Sequence, residues 1–103
     1  MKRSSKKIVS SVSLREVYHH QGDFSAKMII DPSFSQAIER VEVDVRNSDG
    51  KKMKFEAKRW GTKLTVDFKI DETTPDGVSV IDLTFRWKDR DSTRERLDFW
   101  VIK

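Results

Sequence analysis

The chain has 103 residues, 36% of them hydrophobic and 37% charged, and a net charge of +4. That length suits one domain with a modest core. No apolar run approaches the ~18 residues of a membrane-spanning helix, and the absence of cysteine excludes disulfides and thiolate metal sites.

The charge excess is local. Lys2, Arg3, Lys6 and Lys7 hold four of the 21 Lys and Arg, and the other 17 face 17 Asp and Glu. Residues 1–7 therefore read as a disordered basic arm, and residues 8–103 as a formally neutral single domain. A pI near 9.5 then describes the arm and is weak grounds for expecting a nucleic-acid partner. The charged start is followed by IVSSVSL, too short and too polar for the apolar segment of a signal peptide, with no small-residue cleavage motif after it.

In chain order, Ile8, Val12 and Leu14 share a parity and give a weak strand signal of the kind found at a sheet edge. Arg15 to Asp23 reads as a connection. It holds His19 and His20, whose side chains point to opposite sides of an extended chain and do not converge on one metal. Phe24, Ala26, Met28 and Ile30 alternate with Ser25, Lys27 and Ile29 and predict a strand that Asp31-Pro32 closes. Pro32 opens one helical turn over Ser33 to Ala37. Val41, Val43 and Val45 alternate with charged residues and predict a strand with a solvated outer face. Asn47-Ser48-Asp49-Gly50 is a tight turn, and Met53, Phe55 and Ala57 continue on the return strand. Trp60-Gly61 makes the next break. Leu64, Val66, Phe68 and Ile70 alternate without a fault. Asp71 to Gly77 is a loop.

The last predicted pair is a hairpin. Ile81, Leu83, Phe85 and Trp87 share one parity, as do Leu97, Phe99 and Val101, with Asp89 to Thr93 as the loop between them. Parity places Phe85 opposite Leu97 or Phe99. The second face then carries Trp100, opposite Asp82 or Thr84, and Ile102. About seven strands at intervals of roughly 8–12 residues, without helical periodicity, define an all-β fold: a two-layer antiparallel β-sandwich.

The loop Thr74-Pro75-Asp76-Gly77, the strand over 78–88, the closing strand over 94–102 and the early IVSSVSL together resemble the immunoglobulin-like or fibronectin-type sandwiches of bacterial surface proteins and phage virions. The likeness spans residues 8 to 103. It departs from true immunoglobulin domains in having no cysteine pair and in placing Val78 and Val80 where a tyrosine corner would stand. It implies a non-catalytic binding or structural module that acts through an edge strand or loops, with a protein partner or a larger assembly at a virion or cell surface.

No catalytic activity is expected, because no nucleophile–base pair can be assembled from these residues. Asp71, Glu72 and Asp76 cluster in a turn-rich loop, which reads as solvated. No calcium-loop spacing, phosphate-binding glycine loop or nucleophile elbow occurs. No cofactor or metal is expected.

Two stretches remain as candidate contact sites. Lys51, Lys52, Lys54, Lys58, Arg59 and Lys63 stand against Glu56 alone, with Trp60 among them. A basic stripe with an aromatic suits a polyanion, either nucleic acid or acidic polysaccharide. The competing reading is a solvated strand face whose lysines blunt an edge. The other candidate is Trp100 with Ile102, which leave the final strand apolar on both faces and mark a protein contact. Cover by the first strand, through Val9 or the basic arm, and stacking of Trp100 on Arg86 are the alternatives.

Overall fold

The final hairpin sets the frame of the molecule. In the computed structural model, which describes residues 7–103, its strands are β7 (Gly77–Trp87) and β8 (Thr93–Val101). The others are β1 (Val9–Ser13), β2 (Val17–Tyr18), β3 (Gly22–Ile30), β4 (Ile38–Arg46), β5 (Phe55–Trp60) and β6 (Lys63–Ile70), with a single helical turn, α1 (Pro32–Ser35). They form two four-stranded sheets, ordered β1-β3-β6-β5 and β2-β8-β7-β4. Every pair is antiparallel except β2 with β8. The expectation for the basic arm falls, apart from an exposed Lys7, outside the described residues.

The all-β sandwich is as expected, with eight strands among the described residues against about seven predicted. Alternation puts Leu64, Val66, Phe68 and Ile70 of β6, and Ile81, Leu83, Phe85 and Trp87 of β7, into the core. Both strands have hydrogen-bonded neighbours on each side, and alternation buries one face of each completely while the other carries polar residues, joined on β7 by Val78 and Val80. Met28, Ile30, Val45, Phe99 and Val101 fill the space between the sheets.

The added strand lies where a plain connection was expected. β2 pairs in parallel with β8, Val17 opposite Trp100 and Tyr18 opposite Val101. The chain thus leaves one sheet after β1 and joins the other at β2. Tyr18 is buried to 2% exposure. Its ring lies 4.7 Å from Phe24, 5.6 Å from Phe68 and 5.3 Å from Phe99, in tilted and edge-on geometries that aromatic pairs prefer. Desolvation holds the Tyr18 phenol above its ordinary pKa.

Two further expectations are corrected. The Asn47–Gly50 turn forms, with Gly50 at φ 79°, but the returning chain pairs with β4 only through Lys52 and Met53. It then crosses to the other sheet as β5. The hairpin register is also different. Phe85 lies opposite Thr93, Ile81 opposite Leu97 and Ser79 opposite Phe99. The parity argument holds, but parity does not fix the slide. The short 88–92 loop lets pairing run close to the turn, which shifts the partner of Phe85 four residues nearer.

Candidate binding surfaces

The outer face of the β2-β8-β7-β4 sheet divides into two halves. In one half most charges are paired, Arg94 opposite Thr84 standing outside any ion pair among the described residues. Glu42 lies 3.1 Å from both Arg40 and Arg86, Arg96 is 2.7 Å from Asp82, and Arg46 is 2.7 Å from Asp44. The Arg86 hydrogen bond, helped by Arg40, holds the Glu42 carboxyl below its ordinary pKa, and Asp82 raises that of Arg96. Exposed pairs of this kind each contribute at most about 1 kcal/mol.

The other half is apolar apart from Asp98, which lies opposite Val80. Val17, Trp100 and Val78 stand side by side in one cross-strand row, with Val80 in the next. The three valines are half-buried, Trp100 is 50% exposed and Ile102 is 44% exposed. Trp100 therefore faces Val78, not Asp82 or Thr84 as the sequence register had it. The valines went uncounted because their strands were read singly, and the partner of Trp100 depends on the slide that parity leaves open.

The alternatives for Trp100 can now be placed. Val9 pairs with Ile30 and its N–H donates to Glu95, so β1 does not fold over the indole. Arg86 is engaged by Glu42, and the cation–π contacts among the described residues join Arg15 to Tyr18 and Arg90 to Trp87. What β2 covers is the backbone edge. The Trp100 N–H donates to the Glu16 carbonyl (2.7 Å) and the Ile102 N–H to the Tyr18 carbonyl (2.9 Å). Strand addition at this point is closed, while the side-chain face remains open.

The basic stripe of residues 51–63 does not form one surface. Lys51 and Lys52 sit at the turn beside β4, with Lys52 opposite Arg46. Lys54 precedes β5. Arg59 turns inward and works as a structural tie. Its guanidinium donates to the Ser35 carbonyl (2.8 Å) and the Gly61 carbonyl (3.0 Å), fastening β5 to α1 and to its own hairpin turn. Lys58, Trp60 and Lys63 do share the outer face of the β1-β3-β6-β5 sheet, at the end opposite Lys51 and Lys52. Trp60 is 69% exposed.

The fold adds partners that a reading along the chain could not supply. Thr65 lies between Lys58 and Lys27, and Lys63 lies between Trp60 and Ile29. The result is a grid of two rows over three strands that contains no acid. The next row brings Glu56 opposite Asp67 and Asp67 opposite Ser25, whose hydroxyl donates to the Asp67 carboxylate. Lys27 and Ile29 had one signal in the sequence: they occupy the outward parity of β3.

No third element gathers catalytic or metal-binding groups. Among the described residues no group of three His, Cys, Asp or Glu converges. The His19 Nδ1 donates to the Ile102 carbonyl at 2.8 Å. Asp71 accepts from the backbone and hydroxyl of Thr73, which hold its carboxyl below the ordinary value within a self-contained turn. Among the described residues no helix is long and apolar enough to cross a membrane.

The fold is shared with a known protein. CopC from Methylosinus trichosporium OB3b, known from a crystal structure, superposes with a TM-score of 0.62 at 15% identity, with 92% of each chain covered. At this identity the likeness is one of fold. No family profile matches the chain, and no curated protein is similar to it in sequence.

Proposed function

We propose that the domain is a non-catalytic, immunoglobulin-like interaction module that packs against a protein partner through the Trp100 face. Sheet orders β1-β3-β6-β5 and β8-β7-β4 correspond to the ABED and CFG sheets of constant-type immunoglobulin sandwiches, with β2 as an added strand. Such a module belongs in a larger assembly, for which a virion or cell-surface array is the setting that the sequence resemblance implies.

One observation carries this reading: the continuous row Val17–Trp100–Val78, extended by Val80 and Ile102, on a face where Arg86 pairs with Glu42 and Arg96 with Asp82, and where Asp98, opposite Val80, is the nearest charge on β8. A partly exposed tryptophan amid aliphatic side chains is the usual make-up of an interface anchor. Because β2 occupies the adjoining edge, the contact is face packing rather than added-strand pairing.

Trp100→Ala tests it. The variant is expected to lose self-association or partner binding, followed by sedimentation velocity, and to keep its urea midpoint nearly unchanged. A loss of several kcal/mol in folding stability with association intact would make Trp100 a core residue and end the proposal.

A further inference from the structure

A separate feature, independent of the Trp100 contact, lies on the opposite sheet. Trp60, Lys63 and Ile29 form its first row, and Lys58, Thr65 and Lys27 its second. Lys27, Lys58 and Lys63 are exposed, and among the described residues none makes an ion pair. On the outer face of the other sheet most charges are matched, with Arg94 and Asp98 outside any ion pair among the described residues. Three lysines left without counterions beside a largely exposed indole lower the cost of recruiting an external anion, because no internal pair has to be broken.

We infer that this grid binds single-stranded nucleic acid, laid across the strands rather than along them. The direction follows from the charges. Running along the strands, an anionic chain would meet Glu56 and Asp67 in the next row and be repelled. Running across them, it passes from Trp60 over Lys63, or from Lys58 over Thr65 to Lys27, and meets no acid. Neighbouring strands are about 4.8 Å apart, so Lys58 and Lys27 stand about 10 Å apart with Trp60 about 7 Å from Lys58. That footprint holds two or three nucleotides, one base stacked on the indole and the phosphates on the ammonium groups.

The path also leads to further charge. The Ile30 N–H donates to the Thr62 carbonyl, and the Asp31 N–H to the Ile8 carbonyl. The β5–β6 turn and the start of β1 therefore meet at the same end of the sheet. Lys7 enters there, and the sequence before it carries Lys2, Arg3 and Lys6.

The exposed indole of Trp60 favours a polyanion that carries bases, which stack on it. All three cations of the grid are lysines, which meet anionic oxygens as point charges, while the planar fork of Arg59 is spent internally. Among the described residues no helix or ribbon projects from this face to enter a duplex groove, so the single strand is the form that fits.

The test is a fluorescence-anisotropy titration of the full chain against a labelled oligothymidylate, repeated over a range of salt. Wild type is expected to bind with a negative salt slope, about 0.7 per phosphate neutralised. Trp60→Ala should weaken binding about tenfold. Lys27→Ala and Lys58→Ala should each flatten the slope by about 0.7. The double variant Lys51→Ala/Lys52→Ala should bind like wild type, and circular dichroism should show every variant folded. The inference is overturned if Trp60→Ala binds like wild type, or if Lys51→Ala/Lys52→Ala removes binding while Lys27→Ala does not. It fails equally if Lys2→Ser/Arg3→Ser/Lys6→Ser alone abolishes binding. A heparin oligosaccharide or an anionic lipid vesicle that binds tighter than the oligonucleotide at equal ionic strength also overturns it, by assigning the grid to another polyanion.

Discussion

Two tryptophans reach solvent from opposite sheets, and their neighbours differ in kind. Trp100, half exposed, stands among Val17, Val78 and Val80, on a sheet most of whose outer charges are paired. Trp60, at 69% exposure, stands beside Lys63 and within a row of Lys58 and Lys27, which have no pairs among the described residues. Under the two proposals, the same side chain serves two kinds of recognition. Aliphatic neighbours give it an apolar partner to seek, and unneutralised cations an anionic one. The contrast shows that an exposed aromatic is read from the row it occupies, and rows are created by strand pairing.

Both rows rest on one core, so the largest effect removes both. Phe99 is 1% exposed, with its ring stacked 4.7 Å from Phe68 and 5.3 Å from Tyr18. Phe99→Ala is expected to cost about 3–5 kcal/mol in urea unfolding. Survival of either binding activity in a variant so destabilised would mean that its surface is not built on this core.

A middle-sized effect should separate the two surfaces. Gly77 opens β7 at φ 128°, and a Cβ there would lie 2.7 Å from the Ser48 Cβ. Gly77→Ala is expected to destabilise by about 1–3 kcal/mol, through backbone strain and steric crowding. It displaces the start of the strand that carries Val78 and Val80, far from the lysine grid. Hydrogen exchange should rise at residues 77–80 and 100–101 and stay unchanged in β5 and β6; equal rises in both sheets would contradict the separation.

The smallest effect lies at high pH. Tyr18 is the only tyrosine in the chain, so the tyrosinate absorbance band reports it alone. Burial raises its folded pKa above the unfolded value. The folded state therefore keeps the proton longer than the unfolded state. The resulting stability is fully present below the unfolded pKa and is lost as pH rises through the folded one. The band should appear at higher pH in folded protein than in urea. Coincident titrations would place the phenol in water and break the link between β2 and the aromatic core.

How much of this was legible follows from what alternation can and cannot encode. β6 and β7 were plain, because a period of two with one buried face determines every inward residue. β2 was not, since two residues carry no period and Tyr18 is held by its aromatic neighbours and by the bond from the Ile102 N–H, which come from distant parts of the chain. Trp100 was placed on its proper face by parity, but its neighbours depend on the slide of the hairpin and on β2. The lysine grid was half visible. Lys58, Trp60 and Lys63 lie close in sequence, but Lys27 arrives through the β3–β6 pairing. Lys51, Lys52 and Arg59 looked equivalent to them along the chain, and the change of sheet after Met53 and the inward turn of Arg59 removed them.

The parallel pairing of β2 with β8 has a mechanical consequence. Near one end of the chain, Glu16 and Tyr18 carbonyls accept from Trp100 and Ile102 near the other, and His19 adds a third bond to Ile102. When two parallel neighbours are pulled from opposite chain ends, they slide along each other. The bonds between them then carry the load together, in shear, instead of opening one after another. In a domain strung between two anchors, tension that has drawn β1 off its own sheet would next meet this short seam, loaded in shear.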